Sequence, residues 1–434
     1  MEYSKKSREE LILFCKQNNI SKYSGKKKAD IIQLIHQANI KVEVKDDQDY
    51  VCENNKENTI LVNEQYNDNI FVNQTMLTCI GNKRKLVDNI YSIVDEIRKH
   101  LNKEKLNIVD CFAGSSVVSR KLVSLCDNIY SNDMEYYSYL MLQCYLDTPS
   151  LEQQERIKSH IIIMNNIAKN GPFEEGIICK LYSPKETNNI KEGERCFYTR
   201  ENALIIDTLR KYITEHVEHD ISVYCLVPLL NKASIHTNTA GVFKGFYKKG
   251  NIGWFGGKGE NALSRITKPI LLEMPVWSSN IFTAHCFNKD INVLINDLPN
   301  NIDLMYLDPP YNQHPYGSNY FMLNVIAKNE EPEEISKVSG IPTNWQKSNY
   351  NKHDSAVNSM KELIKVGLTK SKYLLISYNN EGIITSDDWK VLFKDYNVKK
   401  VEIKYDTYKG SRNLKDRDNK VIEIMYLVWA KLNI

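Results

Sequence analysis

One stretch of the chain carries side chains whose types and spacing suit chemistry on a flat, amino-bearing ring. Asp308-Pro309-Pro310-Tyr311 comes just after Ile302-Asp303-Leu304-Met305-Tyr306, which reads as a short, largely apolar strand. A carboxylate, two prolines and an aromatic ring therefore sit where a buried strand ends, the place at which open α/β sheets keep their ligand crevice. Consecutive prolines fix φ and remove two backbone donors, so their carbonyls can face a ligand. Asp308 can accept hydrogen bonds from an amino group and Tyr311 offers a ring for stacking. That set suits a nucleobase. A Pro-Pro loop closing a strand, with Asp308 merely solvated, is the alternative these residues leave open.

Positioning that loop takes a sheet, whose first half is legible upstream. Leu106-Asn107-Ile108-Val109-Asp110 is an apolar strand, and Cys111-Phe112-Ala113-Gly114-Ser115-Ser116 forms a turn small enough for close ligand approach before a helix near Val117. A second strand ends at Asp133, 23 residues after Asp110 and near the spacing expected of an acid that holds a ribose. No G-x-G-x-x-G is present, which argues against a dinucleotide, and a plain βαβ unit without ligand stays open. Gly81-Asn82-Lys83-Arg84-Lys85-Leu86 opens an amphipathic helix marked by Leu86, Ile90, Ile93, Val94 and Ile97. A glycine turn with a lysine at a helix N-terminus can hold a carboxylate. Downstream, Ala284–Ile291 and Tyr373–Asn379 read as strands with polar ends, while Val398–Tyr405 and Val421–Trp429 pair as a terminal antiparallel hairpin. Lys409, Arg412, Lys415 and Arg417 between them are either a solvated tip or a phosphate clamp.

The totals exclude several classes. A length of 434 residues allows two or three domains, and 42% hydrophobic with 26% charged residues is ordinary for a globular protein. The net charge of +3 does not announce a nucleic-acid partner, so such binding has to come from local patches. Ten cysteines are scattered without a C-x-x-C pair or a His/Cys cluster, which predicts reduced structural thiols and no metal. No apolar run approaches the ~18 residues of a membrane span and no signal-peptide core opens the chain, so a cytoplasmic protein is expected.

Two basic regions stand out. Ser7-Arg8-Glu9-Glu10 has capping-box spacing before a first helix, and a second helix over Lys26–Gln37 carries Lys26, Lys27 and Lys28 in its first turn. The macrodipole disfavours cations there, so these lysines are either solvated or available to phosphates. Residues 41–70 turn acidic and Asn-rich and read as a linker. Within 151–275, helix-like segments lead to a stretch where Lys232, His236, Asn238, Lys244, Tyr247, Lys248 and Lys249 interleave with small residues. Lys contacts suit phosphates, and Asn and His suit base edges, with a solvated surface loop as the alternative.

Taken in order, Gly81-Asn82-Lys83-x-Lys85-Leu86, Asp110-x-Phe112-x-Gly114 and Asp308-Pro309-Pro310-Tyr311 resemble the motifs of Dam-like DNA adenine methyltransferases. The likeness is closer to modification methylases of the FokI type, which carry a similar Tyr316-Gly317-Ser318-Asn319-Tyr320 run, and it extends from about Thr75 to the C-terminus. Two positions depart from the pattern: Cys79 where an aromatic residue is common, and Ser116 where the loop usually has a second glycine. The N-terminal stretch resembles the SAP-type DNA-binding motif, which implies sequence-tolerant DNA contact.

The resemblance implies an α/β fold, a Rossmann-like S-adenosylmethionine-dependent methyltransferase sheet with an antiparallel C-terminal hairpin. Its expected parts are a helical module (1–40), a linker (41–70), a cofactor half (71–150), a target-recognition insert (151–275) and a catalytic half (276–434). It assigns S-adenosyl-L-methionine to Asn82, Lys83, Asp110, Phe112, Ala113, Gly114, Ser115, Asp133, Asp290, Ile291 and Asp308. The flipped adenine falls to Asp308, Pro309, Pro310 and Tyr311. DNA contact extends to Tyr316, Asn319, Tyr320 and Tyr350 beside the basic residues already named. Double-stranded DNA is the expected partner, with a cognate restriction endonuclease as a second, and a monomer or weak dimer as the state. Cytosine-N4 or RNA adenine methylation, a protein glutamine substrate and an inactive DNA-binding protein of the same fold are the rival readings. Asp308 in place of Asn argues against glutamine.

Overall fold

This computed structural model describes residues 7–8, 11–12, 15, 26–37, 68–74, 77, 81, 83–406 and 420–431. Asn82, Cys79 and the basic loop from Lys409 to Arg417 lie outside them. The chain divides into two compact units, Met1–Ile60 and Leu61–Ile434. In the first, the helix Lys28–Gln37 begins two residues later than expected, Leu11, Cys15 and Ile31 are buried, and the Arg8 guanidinium donates to the Lys26 carbonyl at 3.0 Å.

The second unit is built on strands β1 (Leu106–Asp110), β2 (Cys126–Asn132), β3 (Lys248–Lys249), β4 (Ile252–Gly253), β5 (Thr283–Phe287), β6 (Ile302–Leu307), β7 (Ser371–Asn379), β8 (Tyr396–Asp406) and β9 (Lys420–Ala430). Seven of them form one sheet in the order β5-β2-β1-β6-β7-β9-β8, while β3 and β4 make a separate two-stranded hairpin. Neighbours from β5 to β7 pair in parallel, and β9 runs antiparallel to both β7 and β8. Strands covered on both faces need continuous apolar runs, and β6 is buried at every position. Alternate residues serve opposite faces: Ile108, Leu304 and Leu375 join one hydrophobic cluster, while Val109, Met305 and Leu374 join the other. Asp303, the one acid inside β6, is held at its N-terminal end by Lys103, Lys372 and the Asn107 amide.

Chain order reverses between β1 and β6, so the loops after them diverge and open a cleft at their carboxyl ends. The short helix Asp68–Asn73 is tied to the rest of the unit. Asp68 accepts hydrogen bonds from Ser278 and Ser279, and the wholly buried Arg120 donates to the Phe71 carbonyl. Arg120 belongs to the helix Val117–Leu122 that follows β1, so the chain leading to Lys83 is pinned to the cofactor half. The insert contributes helices Leu151–Asn170, Ile177–Tyr182, Arg200–His216 and Ser222–Ile235, whose Ile157, Ile206 and Leu229 enter the same cluster as Ile108.

Candidate active site

Gly81, Lys83, Phe112–Ser115, Asp133, Glu135, Asp290, Ile291, Asp308, Pro310, Tyr316 and Tyr350 line one cleft at the switch point, enclosing about 1000 Å³ that is partly open to solvent. The backbone is shaped for close approach. Gly81 sits at φ +78°, and a Cβ there would lie 2.9 Å from the Tyr311 hydroxyl. In the turn after β1, Gly114 has φ +52° and Ser116 φ +63°, so the serine keeps the left-handed conformation that a glycine would take freely. Ser116 is buried and its hydroxyl donates to the Ser115 carbonyl at 2.6 Å.

At the floor of the site, Lys83 is almost wholly buried and its Nζ lies 2.7 Å from Asp308 and 3.2 Å from Glu423. Burial works against both kinds of charge. For Lys83 the two carboxylates outweigh it and hold the ammonium well above its ordinary range. For Asp308 burial wins over the lysine, and its carboxyl is pushed up to about 6. Tyr311 is half-buried beside them, edge-on to Tyr378 with centroids 6.4 Å apart. The loop is pinned from outside: the Ile383 amide donates to the Tyr311 carbonyl and the Asn351 side chain to the Asn312 carbonyl.

Asp110 is buried, with one oxygen accepting from Ser119 at 2.6 Å and Oδ1 left without a partner. Burial pushes its carboxyl up to about 7. An unpartnered buried oxygen beside a glycine turn fits an ammonium or N–H donor of a ligand. Asp133 lines the cleft and has a structural job as well. Both of its oxygens accept backbone amides, from Gly114 at 2.7 Å and Glu135 at 2.8 Å, so it ties the two loops together. A further acid on the cleft wall is Glu135, buried and held by Asn324 at 2.7 Å, with burial raising its carboxyl to about 7. Asp290 accepts from the Asn292 amide at 2.8 Å as the cap of the helix Ile291–Leu294.

Several expected DNA contacts are buried. Tyr350 stands edge-on to Phe112 and donates its hydroxyl to Asn292 at 2.7 Å, which makes it a cleft wall. Tyr320 is buried in a stack with Tyr316, and Asn319 is buried with its carbonyl accepting from the Phe243 amide. His236 faces the Arg265 carbonyl at 2.7 Å, and Lys232 is ion-paired with Glu273. Asn238 donates to the Cys196 and Trp254 carbonyls and accepts from the Gly256 amide, so every polar atom is committed to backbone. Asn238→Ala is expected to lower stability by about 2–3 kcal/mol through these lost bonds, leaving the methylated sequence unchanged; thermal melts and methylome sequencing check both halves. Within the insert the exposed set is Lys244, Lys248 and Lys249, with Tyr247 half-buried among them. Lys248 lies over the Phe246 ring at 4.9 Å and Lys249 over Trp254 at 5.0 Å.

Two residues escaped the sequence reading, Glu135 and Glu423. Glu135 is two positions past the acid that was chosen. Glu423 is a charge inside the apolar run Val421–Trp429, a pattern break that marks a buried partner.

Comparison with known proteins bears directly on this arrangement. The type II methyltransferase M.NlaIII of Neisseria lactamica is 27% identical over 357 residues, covering 80% of this chain and 98% of that protein. M.CviAII of Paramecium bursaria Chlorella virus 1 is 29% identical over 321 residues, covering 73% and 87%. M.FokI of Planomicrobium okeanokoites is 26% identical over 328 residues, covering 74% of this chain and 47% of that protein. Residues 80–391 match the D12 class N6 adenine-specific DNA methyltransferase family. That span runs from the turn before Lys83 through both loops of the cleft and past Asp308, so the chain belongs to the D12 class of adenine-N6 DNA methyltransferases, enzymes that use S-adenosyl-L-methionine.

Proposed function

We propose that the cleft methylates a single adenine rotated out of double-stranded DNA, with its residues dividing the work between cofactor and base. The observation that carries this reading is the Lys83–Asp308 pair at 2.7 Å, set beside the Tyr311 ring, whose centroid lies 5.8 Å from the Lys83 Nζ. When bound, S-adenosyl-L-methionine would supply a sulfonium methyl group: the adenine N6 lone pair would form the new N–CH3 bond as the S–CH3 bond breaks, with S-adenosyl-L-homocysteine leaving and one amino proton passing to water. Phe112–Ser115, Asp110, Glu135, Asp290, Ile291 and Tyr350 would surround the cofactor, with Asp133 and Lys83 fixing the loops that touch it and Asn82 assigned to it from the sequence. Asp110 offers its unpartnered oxygen to the methionine ammonium, and Glu135 is the acid placed for the ribose hydroxyls.

Asp308 and the Pro309 carbonyl accept from the amino group, which turns its lone pair toward the methyl. Tyr311 stacks on the base and repays part of the few kcal/mol that unstacking costs. Positioning supplies most of the acceleration. Nucleoside analysis of duplex DNA after incubation tests the reading. N6-methyladenine is expected; N4-methylcytosine, or modification of RNA alone, would overturn it.

The β3–β4 hairpin is the element proposed to grip DNA. Lys244, Lys248 and Lys249 face solvent together with Ile252 and Trp254, a basic and aromatic surface that suits phosphates and unstacked bases. Replacing Lys248 and Lys249 by alanine is expected to flatten the plot of log affinity against log salt by about two. Cofactor affinity should stay unchanged, and fluorescence anisotropy with calorimetry measures the pair of effects. The 151–275 region is assigned to target recognition and the 71–150 and 276–434 regions to the core. The module of 1–40, reading as SAP-like, is assigned sequence-tolerant contact through Lys26, Lys27 and Lys28, tethered by 41–70. No helix among the described residues is long and apolar enough to cross a membrane. An intracellular enzyme, monomeric or weakly dimeric and working alongside a cognate restriction endonuclease, is the setting this activity suits.

A further inference from the structure

We propose that Glu423 is a positioning residue for methyl transfer: it shares the Lys83 ammonium with Asp308, so that Asp308 keeps enough negative charge to accept the adenine amino group. The inference rests on the reading in which Asp308 is that acceptor. Its basis is geometric. Glu423 lies in the interior of β9 between Ile422 and Ile424, 1% exposed, where a carboxylate is costly unless it is paired. Two of its partners come from distant parts of the chain. Lys83 arrives from the turn before the helix Val87–His100, with Nζ at 3.2 Å from Oε1, and Ser377 arrives from β7, donating its hydroxyl to the same oxygen at 2.5 Å.

One buried lysine and one aspartate would already neutralise each other. A second carboxylate on the same ammonium adds a surplus negative charge, and the fold has provided a serine to hold it there. The groups facing Asp308 are Lys83 from its turn, Glu423 from β9, Asp110 from β1, Tyr306 from β6 and Tyr311 from its own loop. Burial is the largest cause of its upward shift to about 6, Lys83 opposes it, and Glu423 adds to it. A carboxylate at that level is ionised at neutral pH and is a stronger acceptor than an ordinary aspartate. Glu423 thus sets how much of Lys83 reaches Asp308, without touching the base.

The sign of the test follows. Glu423→Gln keeps shape and removes the surplus charge, so Lys83 pairs wholly with Asp308 and its protonation moves to lower pH. Single-turnover methylation of a duplex by the full chain should then show its acid limb displaced downward by roughly half a pH unit, with a plateau reduced about ten-fold. Affinity for S-adenosyl-L-methionine by calorimetry should remain within about two-fold, because Glu423 is outside the cleft lining. Glu423→Asp should recover part of the rate, and Ser377→Ala should move the limb the same way by less.

A second readout does not depend on turnover. In cofactor-free protein carrying 13C-labelled aspartate carboxyls, the Asp308 resonance, identified by its loss in Asp308→Asn, should titrate at lower pH in Glu423→Gln than in wild type. An acid limb and a resonance that stay in place would overturn the proposal, since a merely structural role lowers the rate without moving either. If Glu423→Gln does not fold, Ser377→Ala decides by the same two readouts. An Asp308→Ala variant that methylates at the wild-type rate would instead remove the underlying reading of Asp308, and an inactive one with an unmoved Glu423→Gln limb would remove this inference alone.

Discussion

Asp308→Ala is expected to lower single-turnover methyl transfer by about a thousand-fold, while cofactor affinity and DNA affinity stay within a few-fold of wild type. The size follows from what is removed. Asp308 is proposed to be the acceptor that orients the N6 lone pair, and one preorganised polar contact to a reacting centre is typically worth about 10²–10³ in rate. The loss is spread between orientation and charge, because adenine N6 gains positive character as the new bond forms. Folding should survive, since Lys83 keeps Glu423 at 3.2 Å and Gly81 O at 3.3 Å after Asp308 is gone. Asp308→Asn separates the two effects: it keeps shape and one carbonyl acceptor but has no charge for Lys83. Its rate should lie between those of wild type and Asp308→Ala. Rapid-quench kinetics with saturating enzyme gives the rate, and calorimetry and anisotropy give the affinities. A variant within ten-fold of wild type would mean that the Pro309 carbonyl alone orients the base.

Which parts of this site were legible in the sequence depends on whether a residue's role is local or set by packing. β1, β6 and the loops after them announce themselves because a buried parallel strand must be continuously apolar and a ligand loop must be small or rigid. The β8–β9 hairpin was legible from alternation. Asp133 was chosen by spacing from Asp110, yet spacing cannot say which acid on a turn has its oxygens filled by amides. In the structure Asp133 does that work, while both it and Glu135 line the cleft. Asn238 and His236 sit in an irregular stretch rich in basic and aromatic residues, where polar side chains resemble base readers. Irregular backbone that is buried has to satisfy its own carbonyls and amides, and these side chains do so. Tyr320 and Tyr350 were read as DNA contacts because burial by distant elements leaves no mark on neighbouring residues.

Lys83→Met should be the most destabilising single change in the catalytic unit as well as an inactive one. Methionine fills the space of the stem, so packing is nearly kept and the charge alone is lost. Asp308 and Glu423 then face each other's field without the cation between them, both largely out of water. Removing one partner from a buried ionic group typically costs about 3–5 kcal/mol, which for a unit of this size lowers the melting transition on the order of 5–10 °C. The pH dependence distinguishes this cause from ordinary misfolding. Without Lys83 the folded-state carboxylates take up protons at a higher pH than they do when unfolded, so the deficit relative to wild type is full at pH 8 and shrinks as pH falls and one of them is neutralised. Adding Glu423→Gln to Lys83→Met should restore much of the lost stability at pH 8, since one of the two unpaired charges is then gone. It should not restore wild-type activity, because an Asp308 left alone in a buried site is easily neutralised and is then a much weaker acceptor for the amino group. Melts of the two single variants and the double between pH 5 and 8 form a cycle that isolates the coupling. A Lys83→Met deficit that stays constant across that range would show that the lysine contributes packing rather than the charge to which both carboxylates are tied.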